Sequence, residues 1–172
     1  GDMGFDYSKL YELDPMKHWM IGGNHDNYDK LPLHSIGSYG LRNIENFVFF
    51  FIRGALSIDK AWRIPFRSYW PQEELNYSQA CAAIELFKTA KPAVVLTHDC
   101  PTSILGGVIT NKYKIEPSNT NHMLERCLQE WQPQRWYFGH HHHDKIIEKG
   151  RTKFRCLAEL SYIDLDFNGD EL

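Results

Sequence analysis

Ala93-Val94-Val95-Leu96-Thr97-His98-Asp99 joins four consecutive apolar residues directly to a threonine, a histidine and an aspartate. A short apolar run of this kind, bounded by turn-forming and polar residues, reads as a buried strand. Two other stretches repeat the design: His18-Trp19-Met20-Ile21 runs into Gly22-Gly23-Asn24-His25-Asp26, and Trp136-Tyr137-Phe138 runs into Gly139-His140. Between them, Asn76 with Gln79 three positions on forms a capping-box pattern, and Ala80, Ala83, Ile84 and Phe87 recur at helical spacing until Lys91-Pro92. A second helix is predicted from about Asn121 to Trp131, with Leu124, Cys127, Leu128 and Trp131 on one face and Pro133 as its stop. Cys127 therefore belongs to the core. Repeated helix-then-strand units predict a layered α/β architecture whose ligands gather where strands release the chain at their carboxyl ends.

The flanks read differently. Lys145 to Lys149 and Thr152 to Leu157, joined by Lys149-Gly150-Arg151, predict an antiparallel pair, with Tyr162 to Phe167 as a third β-prone segment; Val48 to Ile52 with Ala55 to Ile58 predict another pair. Glu116 to Asn121 is a polar loop. With no internal repeat and no Gly/Ser/Pro-rich linker, residues 1–172 are expected to form a single domain. An apolar share of 42% against 24% charged residues fits a folded chain rather than a disordered one. A chain of this length buries roughly 68 to 70% of its unfolded surface, so a metal would be present for chemistry rather than to build a core.

The net charge of −3 and a pI near 6.3, with Lys and Arg scattered, disfavour a dedicated nucleic-acid surface. The longest apolar stretch, around Phe47 to Ile52, is far too short to cross a bilayer, and no basic-then-apolar leader pattern opens the chain. No membrane partner and a cytoplasmic location are the resulting expectations. Cys81, Cys100, Cys127 and Cys156 are widely spaced without a Cys-x-x-Cys pair, which indicates reduced thiols and no cysteine-based zinc site.

The polar ends of the three runs carry the chemistry. Gly22 to Asp26 has the composition of any tight turn. Placed after a strand, it also supplies an amide oxygen for a divalent metal, an imidazole and a carboxylate able to orient that imidazole. Of nine histidines, four are consecutive, His140 to His143; they lie inside the chain, where an expression tag does not sit. On an extended segment side chains alternate faces, so His140 and His142 are expected on one side and His141 turned away. His98 follows its strand onto the same rim, and Asp99 is suited to fix an imidazole tautomer. Arg53, Asp59 and Arg63 read as a solvated hairpin, with approach to a phosphate as the alternative. Trp19, Trp131 and Trp136 read as core.

Gly23-Asn24-His25-Asp26, Thr97-His98-Asp99-Cys100-Pro101 and Gly139-His140-x-His142, in that order, resemble the calcineurin-like metallophosphoesterases, especially small bacterial and bacteriophage members. Gly1-Asp2-Met3-Gly4 is similar to that family's Gly-Asp motif. The resemblance implies a metallophosphoesterase-type β-sandwich flanked by helices and two divalent metal ions. Asp2 would bridge them, Asn24, His98 and His140 would hold the second, and His142 would belong to the first. His25 would be the general acid that protonates the leaving alkoxide, with Asp26 holding its orientation. The implied activity is hydrolysis of a phosphate mono- or diester by metal-activated hydroxide. Mn, Fe, Zn or Ni suit these ligands better than Mg or Ca, because imidazole is a borderline donor.

The pattern departs from the family in two places. No Asp-x-His motif occurs in the chain, so the resemblance implies an opening strand, a helix and a further strand ahead of Gly1, and a domain incomplete at its N-terminus. Phe5 stands where the family's second motif aspartate is expected, with Asp6 one place later. The competing expectation is a catalytically inactive scaffold of the same fold that mediates protein contacts, a role that gives no reason to keep Asn24, His25, His98, His140 and His142 together.

Overall fold

The computed structural model describes residues 1–44, 47–109, 116–166 and 169–172. Among them, six strands form one mixed sheet: β1 (Tyr39–Ile44), β2 (Phe47–Ile52), β3 (Val94–Thr97), β4 (Arg135–Phe138), β5 (Lys145–Lys149) and β6 (Thr152–Cys156), in the order β1-β2-β3-β4-β6-β5. The pairs β2–β3, β3–β4 and β4–β6 are parallel, while β1–β2 and β5–β6 are antiparallel. Three α-helices accompany the sheet: α1 (Tyr77–Ala90), α2 (Thr102–Val108) and α3 (Asn119–Glu130).

Strand alternation sorts the core into two layers. Phe50, Ile52, Val95, Trp136, Phe138, Phe154 and Cys156 face the helices, where they meet Phe87 of α1, Ile104 and Val108 of α2, and Leu124 and Cys127 of α3. The intervening residues Phe49, Phe51, Val94 and Tyr137 face the other way, against Ile21, Ile36, Ile163 and Leu165 of non-strand segments. Helices thus cover one face of the sheet and irregular chain covers the other. Phe87 joins the layers of the helical side, edge-on to Phe50 with centroids 5.0 Å apart and 6.0 Å from Trp136.

Local signals matched the helices closely. In α1 the Asn76 side chain accepts from Gln79 N–H and the Gln79 side chain accepts from Asn76 N–H; Lys91, in a left-handed conformation, ends it before Pro92. Helix α3 begins two residues earlier than predicted, because Ser118 and Asn121 form a second reciprocal capping box. Cys127 is fully buried, as expected of core.

Three strand expectations change. His18 to Ile21 does not enter the sheet: Met20 makes one isolated bridge to Ser35, and the segment lies over the sheet's second face. Val48 to Ile52 pairs with Tyr39–Ile44 rather than Ala55 to Ile58. The reason is that β2 is central, with β1 on one edge and β3 on the other, so no edge remains for a second hairpin arm. Gly54, at φ 87°, turns the chain away, and its N–H donates to Gly22 O at 2.8 Å. Tyr162 to Phe167 contributes only the bridge Leu165 to Glu171, and Phe167 lies outside the described residues. Among the described residues no helix is long and apolar enough to cross a membrane.

Candidate metal centre

Two parallel strands end side by side, and their exits bring the predicted residues together. Beyond β3 come His98 and Asp99, beyond β4 come His140 and His141, and the turns holding Asp2 and Asn24 lie against both. His98 Nε2 lies 3.2 Å from Asp2 Oδ2 and 3.1 Å from Asn24 Oδ1. The His98 and His140 rings have centroids 5.1 Å apart, and one ligand atom each from Asp2, His98 and His140 lie within 4.8 Å of one another. Gly23 is required by this closeness, since a Cβ there would collide with Asp2 Oδ1 and His98 Cε1. Asp2, Asn24, His98 and His140 therefore present two oxygens and two imidazoles to one point, a set that suits a borderline divalent cation.

The protonation states fit such a role. Burial works against ionisation of Asp2, but the hydrogen bond and charge of His98 and the contact from His25 outweigh it and hold the carboxyl well below its usual range. Burial pushes His140 down to about 4, only partly opposed by Asp99. At neutral pH this imidazole therefore carries no proton that a metal would have to displace. Asp2 and His140 also adopt left-handed backbone conformations, with φ of 62° and 65°. Non-glycine residues hold such angles where the surroundings over-determine them, often at functional sites.

The same backbone feature overturns the alternation expected of the histidine run. The strand ends at Phe138, and positive φ at His140 and again at His142 (56°) destroys the two-residue period. His140 reaches the cluster. His141, expected to turn away, is the one held inside: its Nε2 is 2.9 Å from Asp99 Oδ1 and 3.6 Å from Cys100 Sγ. Asp99 thus fixes an imidazole as anticipated, and its carboxyl is held low by that hydrogen bond against the opposing effect of burial. His142 is 65% exposed and pairs with Glu159 at 3.3 Å, so it does not join Asp2, His98 and His140. Asp99, His140 and His141 form a second group of the same dimensions that shares His140.

Asp26 is likewise redirected. It is fully buried, and its carboxylate accepts from Gly23 N–H (2.7 Å), Asp2 N–H (2.9 Å), Met3 N–H (3.1 Å) and the Tyr7 hydroxyl (3.3 Å). His25 is not among these partners. Asp26 organises the turn that carries Asp2, and Asp2 Oδ1 in turn accepts from His25 N–H at 2.8 Å.

The His25 ring meets Arg63 instead. Arg63 Nη1 and Nη2 lie 3.1 Å from Nδ1, and Nη2 is also 3.1 Å from Nε2. Guanidinium nitrogens thus reach both ring nitrogens of His25 at hydrogen-bond distance. Asp59 Oδ1, 2.7 Å from Arg63 Nε, braces it, and the Arg63 side chain is only 14% exposed. The reading of Arg63 as part of a solvated hairpin is therefore corrected, while Asp59 is half exposed. Arg53 is buried too, stacked 4.1 Å above the Tyr28 ring, whose hydroxyl donates to Gly23 O.

Sequence reasoning missed Ser57 and Glu73. Both are buried and bonded to each other and, through Ser57, to Asn24. No motif marks them, because they reach Asn24 from loops 33 and 49 residues downstream; only a buried glutamate on a polar stretch is unusual, and burial is a tertiary property. A cavity of about 590 Å³ opens beside the cluster, with Asp2, His98 and His140 in its wall and Ile21, Phe49 and Leu96 along its apolar side.

Fold and site together define a mixed α/β protein, a six-stranded sheet flanked by helices, with buried His/Asp groups that could hold a metal ion. No family model matches the chain, and no curated protein matches it. Among solved structures it is similar to GAP50, described as the anchor in the inner membrane complex of Plasmodium, with a TM-score of 0.47 and 13% identity over 86% of this chain. The aligned part is 52% of that protein, so this chain spans about half its length.

Proposed function

We propose that this chain carries the metal centre of a calcineurin-like, dinuclear metal-dependent phosphoesterase that hydrolyses a phosphate mono- or diester. The observation that carries the reading is the convergence of Asp2, Asn24, His98 and His140, drawn from four separate motifs, on one buried point. Divalent cations there would supply Lewis acidity and a lowered pKa for water. The residues would do the rest. Asp2, Asn24, His98 and His140 hold the cation and exclude bulk water from its protein side. Asp26 fixes the Asp2 turn. Asp2 Oδ1 tethers the His25 main chain, which sets the imidazole at the margin of the cluster as the proton donor to a departing alkoxide. Arg63, within 3.1 Å of both ring nitrogens and braced by Asp59, restricts its rotation.

The test is hydrolysis of aryl and alkyl phosphate monoesters and diesters with Mn(II), alongside His140→Ala and His25→Ala. His140→Ala is expected to abolish turnover, and His25→Ala to slow alkyl esters much more than aryl esters, whose leaving groups need little protonation. Turnover unchanged by His140→Ala overturns the metal assignment; equal loss on both ester types overturns the His25 role.

The position of His142, exposed and on Glu159, favours a second reading, in which a scaffold of the same fold binds one cation without hydrolysis. One Mn(II) bound per chain, with no turnover on any of the four esters, selects that reading.

A further inference from the structure

We propose that Glu73 and Ser57 are positioning residues for the cation site, a buried carboxylate fixing a hydroxyl and the hydroxyl fixing which end of the Asn24 amide faces His98 and Asp2. The inference rests on the reading of Asn24 as a cation ligand and adds the means by which that ligand is oriented.

The polarity of the chain follows from counting donors. Ser57 brings two: its main-chain N–H is 3.1 Å from Glu73 Oε1 and its hydroxyl 2.6 Å from Glu73 Oε2. A carboxylate only accepts, and the other acceptor in reach of the Ser57 hydroxyl, Asn24 O, is 3.4 Å away, so its single proton goes to the far shorter contact with Glu73. What remains on Ser57 Oγ are lone pairs, and these accept from Asn24 Nδ2 at 3.2 Å. With its NH₂ end taken, Asn24 turns Oδ1 toward His98 Nε2, 3.1 Å away. In the flipped amide, Oδ1 would face Ser57 Oγ with no proton between them, and NH₂ would face the point where Asp2 and His98 converge.

Burial makes the relay binding. Asn24, Ser57 and Glu73 are 3%, 1% and 2% exposed, so solvent cannot replace a lost partner. Glu73 otherwise lacks an explanation. A buried carboxylate is costly, and its hydrogen-bond donors among the described residues are the two on Ser57. The backbone is shaped to bring it there. Gly54 lies so close to Glu73 O that any Cβ at that position would collide with it.

The experiment is Mn(II) titration of EDTA-stripped protein by calorimetry, paired with thermal unfolding of the metal-free form. Asn24→Ala tests the ligand reading alone and is expected to weaken binding strongly. Ser57→Ala and Glu73→Gln are expected to weaken it 10- to 100-fold, the usual effect of losing a partner that orients a metal ligand. A carboxamide cannot accept from both Ser57 donors, so Glu73→Gln breaks the polarity of the relay. Ser57→Thr, which keeps the hydroxyl, is expected to bind within about threefold of wild type, well short of that loss. The decisive comparison uses Asn24→Asp, whose side chain offers oxygen at both ends and has no orientation to fix. In that background Glu73→Gln is expected to change affinity by less than about threefold, again against the tenfold lower bound. An equal loss in both backgrounds makes Glu73 merely structural and overturns the proposal. So does wild-type binding by Ser57→Ala and Glu73→Gln when Asn24→Ala binds weakly. Wild-type binding by Asn24→Ala removes the ligand reading itself, and the relay's purpose with it. Should Glu73→Gln fail to fold, the Ser57→Ala and Ser57→Thr pair decides alone.

Discussion

Asp26→Asn separates two roles for one carboxylate. In the structure each oxygen of Asp26 receives two donors: Gly23 N–H and Asp2 N–H on Oδ2, Met3 N–H and the Tyr7 hydroxyl on Oδ1. An asparagine keeps one acceptor oxygen and turns the other into a donor. The NH₂ would take the Oδ1 side, where the contacts are longer and the Tyr7 hydroxyl has Asn27 O, 3.5 Å away, as another acceptor. Hydrogen bonds to a charged group contribute about 1.5 to 3 kcal/mol each, so two lost bonds cost about 3 to 6 kcal/mol. Tyr7's alternative places the outcome near the lower end. Against a total stability of about 5 to 15 kcal/mol that is a large loss. At roughly 2 to 4 °C per kcal/mol for a chain of this size, thermal unfolding of the metal-free protein should fall by about 6 to 12 °C. Cation affinity should fall with it, by about tenfold or more, because Asp2 sits on the turn that Asp26 holds. Calorimetric unfolding and Mn(II) titration measure both. A variant with wild-type unfolding temperature and wild-type affinity, yet slowed selectively on alkyl phosphates, would refute this reasoning and return Asp26 to the role of orienting His25.

Two further outcomes are expected. His142→Ala should leave the affinity of the Asp2, Asn24, His98 and His140 set within about twofold, whereas His140→Ala should weaken it by more than about 100-fold, beyond the range for a merely orienting residue; calorimetry distinguishes them, and comparable losses would restore His142 to the cluster. Acid should destabilise the metal-free protein through His140, whose pKa falls to about 4 in the fold. Protons then favour the unfolded chain, so this contribution is complete above an unfolded pKa of about 6.5 and declines as pH falls toward 4, with about 2 kcal/mol of it lost by pH 5. Urea unfolding at pH 5 and pH 7.5 should show that difference in wild type and lose it in His140→Gln; an unchanged difference shows that other groups carry it.

Features governed by neighbours a few residues apart were legible in the sequence. Asn76 and Gln79 are three residues apart, and their capping box needs nothing from the rest of the chain; the same holds for the apolar period through Phe87 and the stop at Pro92. Val94 to Thr97 and Arg135 to Phe138 lie side by side in the sheet, as their apolar runs predict. Asn24, His98 and His140 stood out by residue type and by their place after apolar runs, whereas Asp2 was indicated only by the resemblance of Gly1-Asp2-Met3-Gly4 to the family's Gly-Asp motif. Missed elements had weaker local signals: β1 holds Gly40, Arg42 and Asn43, and α2 is a single short segment with two glycines.

What tertiary structure alone decided is where each polar group of the site points. Alternation assigned His142 inward and His141 outward, and two left-handed residues reversed both, because side-chain period holds only while the backbone stays extended. Sequence adjacency paired Asp26 with His25, but a buried carboxylate goes where unpaired N–H groups are, and those belonged to Gly23, Asp2 and Met3. Arg63 and Glu73 came to His25 and Asn24 from loops far along the chain. Residue identity and short-range pattern thus marked α1, α3, β3 and β4, since those depend on local geometry and burial. The partners that orient the donors depend on the long-range closure of loops around the strand ends, for which no local period exists.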